Sequence, residues 1–350
     1  MSSNALFVDA MRAQPKNLAL AHSTLTRDLQ RARLVEWKPG DTVAVVAMGA
    51  SSHTGNAFVA VLAEAGFRAV NLTASDVLLA ADGFQPADHY VIVSESGRSP
   101  ETIEAARRLT VGRRIGISNF PEAQIGGVID APISLGGFND SPVYTIGYTA
   151  TLLAYALLLD RVGKVPAGPE VERIPAIVGN ALNAYDSIAT RISRFVADAS
   201  AIDVIGRGTS FASAAETSLM IREGLRIPSG SYETFQYLHG PMESAAEGSV
   251  LIIFGDGREL TIPDSVLDSG VQVILVTAAP ESAIPSAGHA NLTIVPLAPG
   301  LGGFVRPIVE IVFAQLLLAH AIDRKPFLIE KFIYEQHDTK VEEVIVAERV

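Results

Sequence analysis

The chain has 350 residues, 48% hydrophobic and 19% charged, enough for two cores at roughly 150 residues per domain and too apolar for a disordered polymer. Lys and Arg number 27 against 38 Asp and Glu, a formal charge of −11, and with no basic block this excludes a general nucleic-acid binder. The absence of cysteine excludes a disulfide scaffold, a thiol nucleophile and thiolate metal sites.

In chain order, the N-terminus carries Asp9 and lacks a basic start followed by an apolar core, so it does not read as a secretory signal. A cytoplasmic protein with no membrane partner is expected. Residues 1–36 are predicted to be helical and amphipathic, interrupted at Gln14-Pro15, with a turn at Lys38-Pro39-Gly40. The Val-rich run 42–48 has the character of a buried parallel strand. Further strands are predicted at 69–73, 90–95, 113–118 and 131–135, and helices near 55–65, 100–110 and 143–162. The uncharged run Ser141 to Leu159 is long enough to span a membrane, but a buried helix explains it equally well. After the Gly/Pro-rich stretch 163–170 come helices at 171–198, 211–225 and 304–322 and strands at 202–205, 249–254, 272–277 and 292–296. Alternating strands and helices predict an α/β fold.

The second half restates the first. Gly49-Ala50-Ser51 recurs as Gly208-Thr209-Ser210, 159 residues on, and Ile92 to Gly97 recurs as Ile252 to Gly257, 160 residues on. Strand 113–118 matches 272–277, and helix 143–162 matches 304–322. Four matches in one order at nearly the same offset predict two copies of an α/β unit. The expected division is an N-terminal helical segment (1–36), a first domain (37–163), a linker and helix (164–198), a second domain (199–331) and a tail (332–350).

In an open parallel sheet, ligands bind beyond the carboxyl ends of the strands. Two segments of the first half lie there: Gly49 to Gly55, and Ser94-Glu95-Ser96-Gly97-Arg98-Ser99-Pro100-Glu101-Thr102. In the second, Ser99 suits an N-cap, Pro100 the first helical residue and Glu101 the positive helix end. Hydroxyls and a glycine at a helix N-terminus can cradle an anion without a lysine. Helix capping alone would use only Ser99. The run Gly206 to Phe211 lacks the third glycine of a dinucleotide fingerprint, and no Walker A, HExxH, EF-hand or GxSxG sequence is present. In the second half Glu223 and His239 stand out, since a carboxylate and an imidazole together can move protons on a sugar. Taken alone, each reads more readily as an ordinary helix glutamate and an ordinary loop histidine. Histidines away from these segments, such as His22 and His320, are read as structural.

These residues resemble the tandem SIS (sugar isomerase) proteins and are similar to the isomerase half of glucosamine-6-phosphate synthase. The resemblance runs from Gln14-Pro15 through Gly49-Ala50-Ser51 and Ser94-Glu95-Ser96-Gly97 with Ser99, to Gly206-Arg207-Gly208, Glu216, Glu223 and His239-Gly240-Pro241. It implies two flavodoxin-like domains, each a three-layer αβα sandwich with a five-stranded parallel sheet, in a homodimer. It implies that Ser94, Glu95, Ser96 and Ser99 hold a sugar phosphate, with Gly49, Ser51 and Thr145 adding contacts. It assigns Glu223 the proton shuttle between C1 and C2, and His239, reaching into the partner's site, the opening of the sugar ring.

Four departures from the family matter. The sequence has no glutaminase segment and no cysteine to serve one, so synthase activity is not expected. Met220 replaces a family lysine one turn before the glutamate. Glu95 stands where the synthase has glutamine and would repel an anionic substrate unless paired with Arg98 or an amine. Lys331 keeps the five-residue step from Pro326 to the family's tail lysine, but 19 residues follow it. The expected function is a sugar 6-phosphate aldose–ketose isomerase with no cofactor and no metal. The alternatives are an amino-sugar-phosphate deaminase that releases ammonia, a non-catalytic sugar-phosphate sensor, and a lyase acting on a sugar conjugate.

Overall fold

Helix α1 (Phe7–Arg31) buries Phe7, Met11, Leu18, Leu25 and Leu29 along one stripe, at the helical spacing that its sequence predicts. The expected interruption does not occur, because Pro15 lies inside the helix. Proline has no N–H to give the carbonyl four residues back. Gln14 Nε2 supplies the missing donor to Met11 O at 3.1 Å, and the turn survives. The computed structural model describes residues 6–163, 165–334 and 338–341.

After α1 the chain runs β1 (Thr42–Ala47), α2 (Gly49–Glu64), β2 (Arg68–Thr73), α3 (Ala74–Leu79), β3 (His89–Val93), α4 (Pro100–Arg108), β4 (Arg114–Ser118), β5 (Ala131–Ser134) and α5 (Ile146–Leu158). It continues with α6 (Ile174–Ala197), β6 (Ala201–Gly206), α7 (Ser210–Gly224), β7 (Ser229–Glu233), α8 (Thr234–Leu238), β8 (Ser249–Phe254), α9 (Pro263–Val266), β9 (Gln272–Thr277), β10 (Leu292–Pro296) and α10 (Val305–Ile322). Two five-stranded sheets result, ordered β2-β1-β3-β4-β5 and β7-β6-β8-β9-β10. Every strand pair is parallel. Counted within its own half, each sheet reads 2-1-3-4-5, the flavodoxin-like order.

The apolar runs of the sequence became central strands, since β3 and β4 are buried at every position. Strand β7 has no predicted counterpart. Its sequence, Ser-Gly-Ser-Tyr-Glu, is polar and half-buried, and it pairs with β6 alone at the sheet edge, so it needs no apolar run. Helix α2 starts earlier than predicted, at Gly49, with the Gly-Ala-Ser-Ser run forming its first turn.

The core between the sheets is shared by both halves. Phe58 on α2, Tyr155 on α5 and Phe304 before α10 form one aromatic group, with ring centroids 4.4 to 6.3 Å apart. Buried Gln14, Thr149 and Gln315 tie α1, α5 and α10 together. Gln14 Nε2 donates to Gln315 Oε1 at 2.7 Å, and Thr149 Oγ1 donates to Gln14 Oε1 at 2.8 Å. Within the run 141–159, α5 forms with every residue from Ile146 to Ala156 buried. Helix α10 is long and apolar enough to cross a membrane, but 83% of it is buried inside this fold.

Candidate active site

The segment after β3 turns sharply at Gly97, whose φ is +66°. A Cβ there would meet Phe120 O at 2.7 Å, so both the conformation and the space call for glycine. The loop is held by Gly97 N–H to Ser94 O (3.0 Å), Asn119 N–H to Glu95 O (2.9 Å) and Ile125 N–H to Gly97 O (3.0 Å). Ser94, Glu95 and Ser96 are buried. Ser99 occupies the N-cap position of α4, yet its side chain makes no capping hydrogen bond. The Ser99 hydroxyl instead accepts from Ser94 Oγ at 3.3 Å. Thr102, in the first turn, is fully buried, and its hydroxyl has no partner among the described residues. Uncapped first-turn N–H groups beside hydroxyls are the donor set of an anion cradle.

Glu95 lies at the floor of this loop. Asn119 Nδ2 donates to its Oε1 at 2.9 Å, and the Tyr144 phenol is a second hydrogen-bond partner. Asp140 is the neighbouring carboxylate. It accepts from Thr145 Oγ1 (2.6 Å) and from the N–H groups of Ser141, Thr145 and Gly147 at 2.8 to 3.0 Å, and so caps α5. A Cβ on Gly147 would lie 2.9 Å from Glu95 Cγ and 3.1 Å from Asp140 Oδ2, so glycine lets the two acids approach the helix end. Burial, reinforced by the charge of Asp140, raises the Glu95 carboxyl to about 7. The expected repulsion of an anion is therefore relieved by protonation near neutral pH.

On α7, Glu216, Met220 and Glu223 follow at helical spacing. Glu216 and Met220 are buried and Glu223 is half-buried. Burial, and then the charge of Glu216, raise Glu223 to about 8. Glu216 Oε2 lies 2.9 Å from His53 Nδ1 on α2. Tyr144 lies within electrostatic reach of Glu95, Asp140 and Glu223. The tertiary fold thus links the β3 loop and α7, which are far apart in sequence.

The equivalent place in the second sheet is filled by the chain itself. Asp256, the repeat counterpart of Ser96, accepts from Thr277 Oγ1 and Ala278 N–H at 2.7 Å each and pairs with Arg306. Arg306 Nε also reaches Glu310 at 2.8 Å, and Glu310 accepts from Ser210 and Ser213. Burial opposes the Asp256 charge, but Arg306 and these donors hold its carboxyl down at about 2.

Residues 195–321, from the end of α6 through α10, match the SIS domain family. The chain carries a SIS domain. The isomerizing glutamine–fructose-6-phosphate aminotransferase of Sulfurisphaera tokodaii is 26% identical over 236 residues, 67% of this chain and 40% of that one. The chain therefore spans well under half the length of that relative. The C-terminal domain of glucosamine-fructose-6-phosphate aminotransferase from Francisella tularensis superposes with a TM-score of 0.73 at 18% identity, covering 92% of this chain and 96% of that one. Glucosamine-6-phosphate deaminase from Thermotoga maritima gives 0.73 at 18% identity, covering 94% and 98%. At these identities the structures establish a shared fold.

Of the residues singled out from sequence, Ser94, Glu95, Ser96 and Ser99 come together in one loop. Glu223, on α7, shares with Glu95 an electrostatic influence on Tyr144. Gly49 (φ +54°) opens α2 with Ser51 buried in its first turn. Thr145 sits at the α5 N-cap with its hydroxyl hydrogen given to Asp140. His239 is exposed just after α8, with no side-chain partner among the described residues. Lys331 is exposed, and its carbonyl accepts from Arg226 Nη2 at 2.6 Å. The tail residue that comes to the loop is Val341, whose N–H donates to Arg98 O at 3.0 Å. Next to it, the charge of Lys340 acts on Glu95. Sequence reasoning missed Asn119, Asp140 and Tyr144. Asp140 carried one usable signal, a short polar residue five positions before a predicted helix N-terminus.

Proposed function

We propose that the chain is a sugar-phosphate aldose–ketose isomerase built from two tandem flavodoxin-like SIS domains, at 37–163 and 199–331. The observation that carries this reading is the α4 N-terminus, which Ser99 leaves uncapped beside buried hydroxyls, together with a carboxyl on α7 that holds its proton near neutral pH and shares the electrostatic reach of Tyr144 with Glu95. The cradle takes the terminal anion of the sugar, with Ser94, Ser96, Ser99 and the first-turn N–H groups as donors. Gly49, Ser51 and Thr145 border the sugar. Glu223 takes the proton from C2 and returns it at C1 through an enediol, while a second proton passes from the C2 hydroxyl to the C1 oxygen. Neutral Glu95 hydrogen-bonds the substrate without repelling its charge. His239, exposed on the surface, is offered to the site of a partner subunit in a homodimer, and Lys331 to the closing tail. The similarity to the Sulfurisphaera tokodaii and Francisella tularensis proteins supports this substrate class.

Buried Met220, at the position of a family lysine, favours a second reading, a sugar-phosphate sensor that binds without turnover. Proton NMR in D2O with a panel of aldose and amino-aldose 6-phosphates separates the two. Loss of the C2 proton signal with wild type, absent with Glu223→Gln, is the expected result. Binding without exchange makes the chain a sensor, ammonia release makes it a deaminase, and full exchange by Glu223→Gln removes the assignment of the base.

A further inference from the structure

Helices α2 and α7 come from opposite halves of the chain and pack against each other. At their contact His53 Nδ1 meets Glu216 Oε2 at 2.9 Å. The Glu216 side chain is 1% exposed and that of His53 27% exposed. A carboxylate oxygen accepts hydrogen bonds, so in the tautomer that donates to Glu216 the ring carries its hydrogen on Nδ1. Nε2, which has no partner among the described residues, is then the basic nitrogen. Glu216 and Glu223 stand seven residues apart, on one face of α7. The imidazole is thus anchored from beneath, partly open above, and joined through one carboxylate to the face that carries the proposed base.

We infer that His53 and Glu216 form an acid–base dyad that opens the sugar ring from within the same chain. The inference rests on the isomerase reading above. Glu223 can remove the C2 proton only once a carbonyl stands at C1, so a cyclic sugar must open first. His53 Nε2 takes the hydrogen of the C1 hydroxyl as C1=O forms and the C1–O5 bond breaks, and then gives it to O5. One proton has moved from O1 to O5, the imidazole ends as it began, and no other reactant is consumed. Glu216 fixes the ring orientation and offsets the passing imidazolium charge, as the carboxylate of a catalytic triad does. His239, to which the family resemblance assigns ring opening, is exposed and meets no side chain of this site, which leaves that step open to a group of the chain's own.

The test follows α/β anomer interconversion by saturation-transfer NMR, on an aldose 6-phosphate whose C2 hydrogen the wild type exchanges. His53→Gln is expected to bind the sugar phosphate and to lose interconversion on the order of 100-fold, with C2 exchange falling in parallel. Glu223→Gln should keep interconversion and lose C2 exchange. Glu216→Gln should show an intermediate loss, and added imidazole should restore part of the rate to His53→Ala through the open side of the site. A folded His53→Gln protein that interconverts anomers at the wild-type rate overturns the dyad, as does loss of interconversion in His239→Gln alone. If His53→Gln does not fold, absence of imidazole rescue in His53→Ala overturns it instead. A wild type that exchanges C2 hydrogen on no sugar of the panel brings down the isomerase reading and the dyad with it. Wild-type exchange with unimpaired His53→Gln removes only the dyad.

Discussion

Glu223 acts as a base only when ionised, and burial together with Glu216 lifts its carboxyl to about 8. At saturating sugar phosphate, where the weaker binding by ionised Glu95 does not enter, the exchange rate should therefore rise with pH along a limb of apparent pKa about 8. A limb at the ordinary carboxylate value would detach Glu223 from the reaction. Glu95 makes a second pH claim. Its folded value of about 7 lies above the ordinary 4.5, so the native state binds the extra proton, and stability falls as pH rises from the lower value through the upper one. Glu95→Gln removes this loss. Its stability advantage over wild type, measured by urea unfolding, should grow by on the order of 2–3 kcal/mol between pH 5 and pH 8. Its affinity for a sugar phosphate should also exceed that of wild type at pH 8, where the native carboxylate opposes the anion. An advantage that stays flat with pH would mean that Glu95 remains ionised throughout.

At the scale of elements, the cradle depends on one turn. Gly97→Ala places a side chain in a left-handed conformation and against Phe120 O. It should cost about 1–3 kcal/mol and weaken sugar-phosphate binding more than tenfold, by displacing Ser96 and Ser99. Calorimetric titration checks the second part, and unchanged affinity would show that the loop does not hold the anion. The helices are locked by the Gln14, Thr149 and Gln315 network. Gln315→Leu leaves the Gln14 amide without its acceptor, and an unsatisfied buried polar group costs about 1–3 kcal/mol, which should read as a lower Tm with little change in KM. Gln14 was legible in the sequence only as the partner of a proline taken to break α1. Of its two roles, donating to Met11 O is local, but donating to Gln315 depends on a helix that arrives 301 positions later. Strand β7 was illegible for a related reason. An edge strand shares its hydrogen bonds with a single neighbour and carries no apolar run, so its identity comes from β6.

For the whole molecule, the repeat does not mean two independent bodies. The largest hydrophobic cluster runs unbroken from α1 and β1 through α5, α6 and α10 to β8 and β9. The aromatic group of Phe58, Tyr155 and Phe304 joins the halves directly. Thermal unfolding should therefore be a single cooperative transition, with near-UV and far-UV dichroism coincident. Two separated transitions would show that each half holds a sufficient core of its own. The halves have also diverged in use. In the second half the equivalent place is filled by Asp256, Arg306 and Glu310, while in the first half Ser99 leaves the α4 N-terminus uncapped.

By itself the sequence determined the α/β class, the repeat, the central strands and the hydroxyl loop, because each is written in local periodicity, in turn residues or in similarity between nearby positions. It also singled out Glu223 and Ser94 to Ser99, through resemblance to a family pattern. Only the tertiary structure decided the rest. It placed Asp140 beside Glu95, Tyr144 on Glu95, and His53 on Glu216, and it brought Val341, rather than Lys331, to the loop. These are contacts between segments tens to hundreds of residues apart. Nothing in the local pattern around an aspartate, a tyrosine or a histidine marks which distant carboxyl it will meet, since that depends on how helices from two halves pack over a common core.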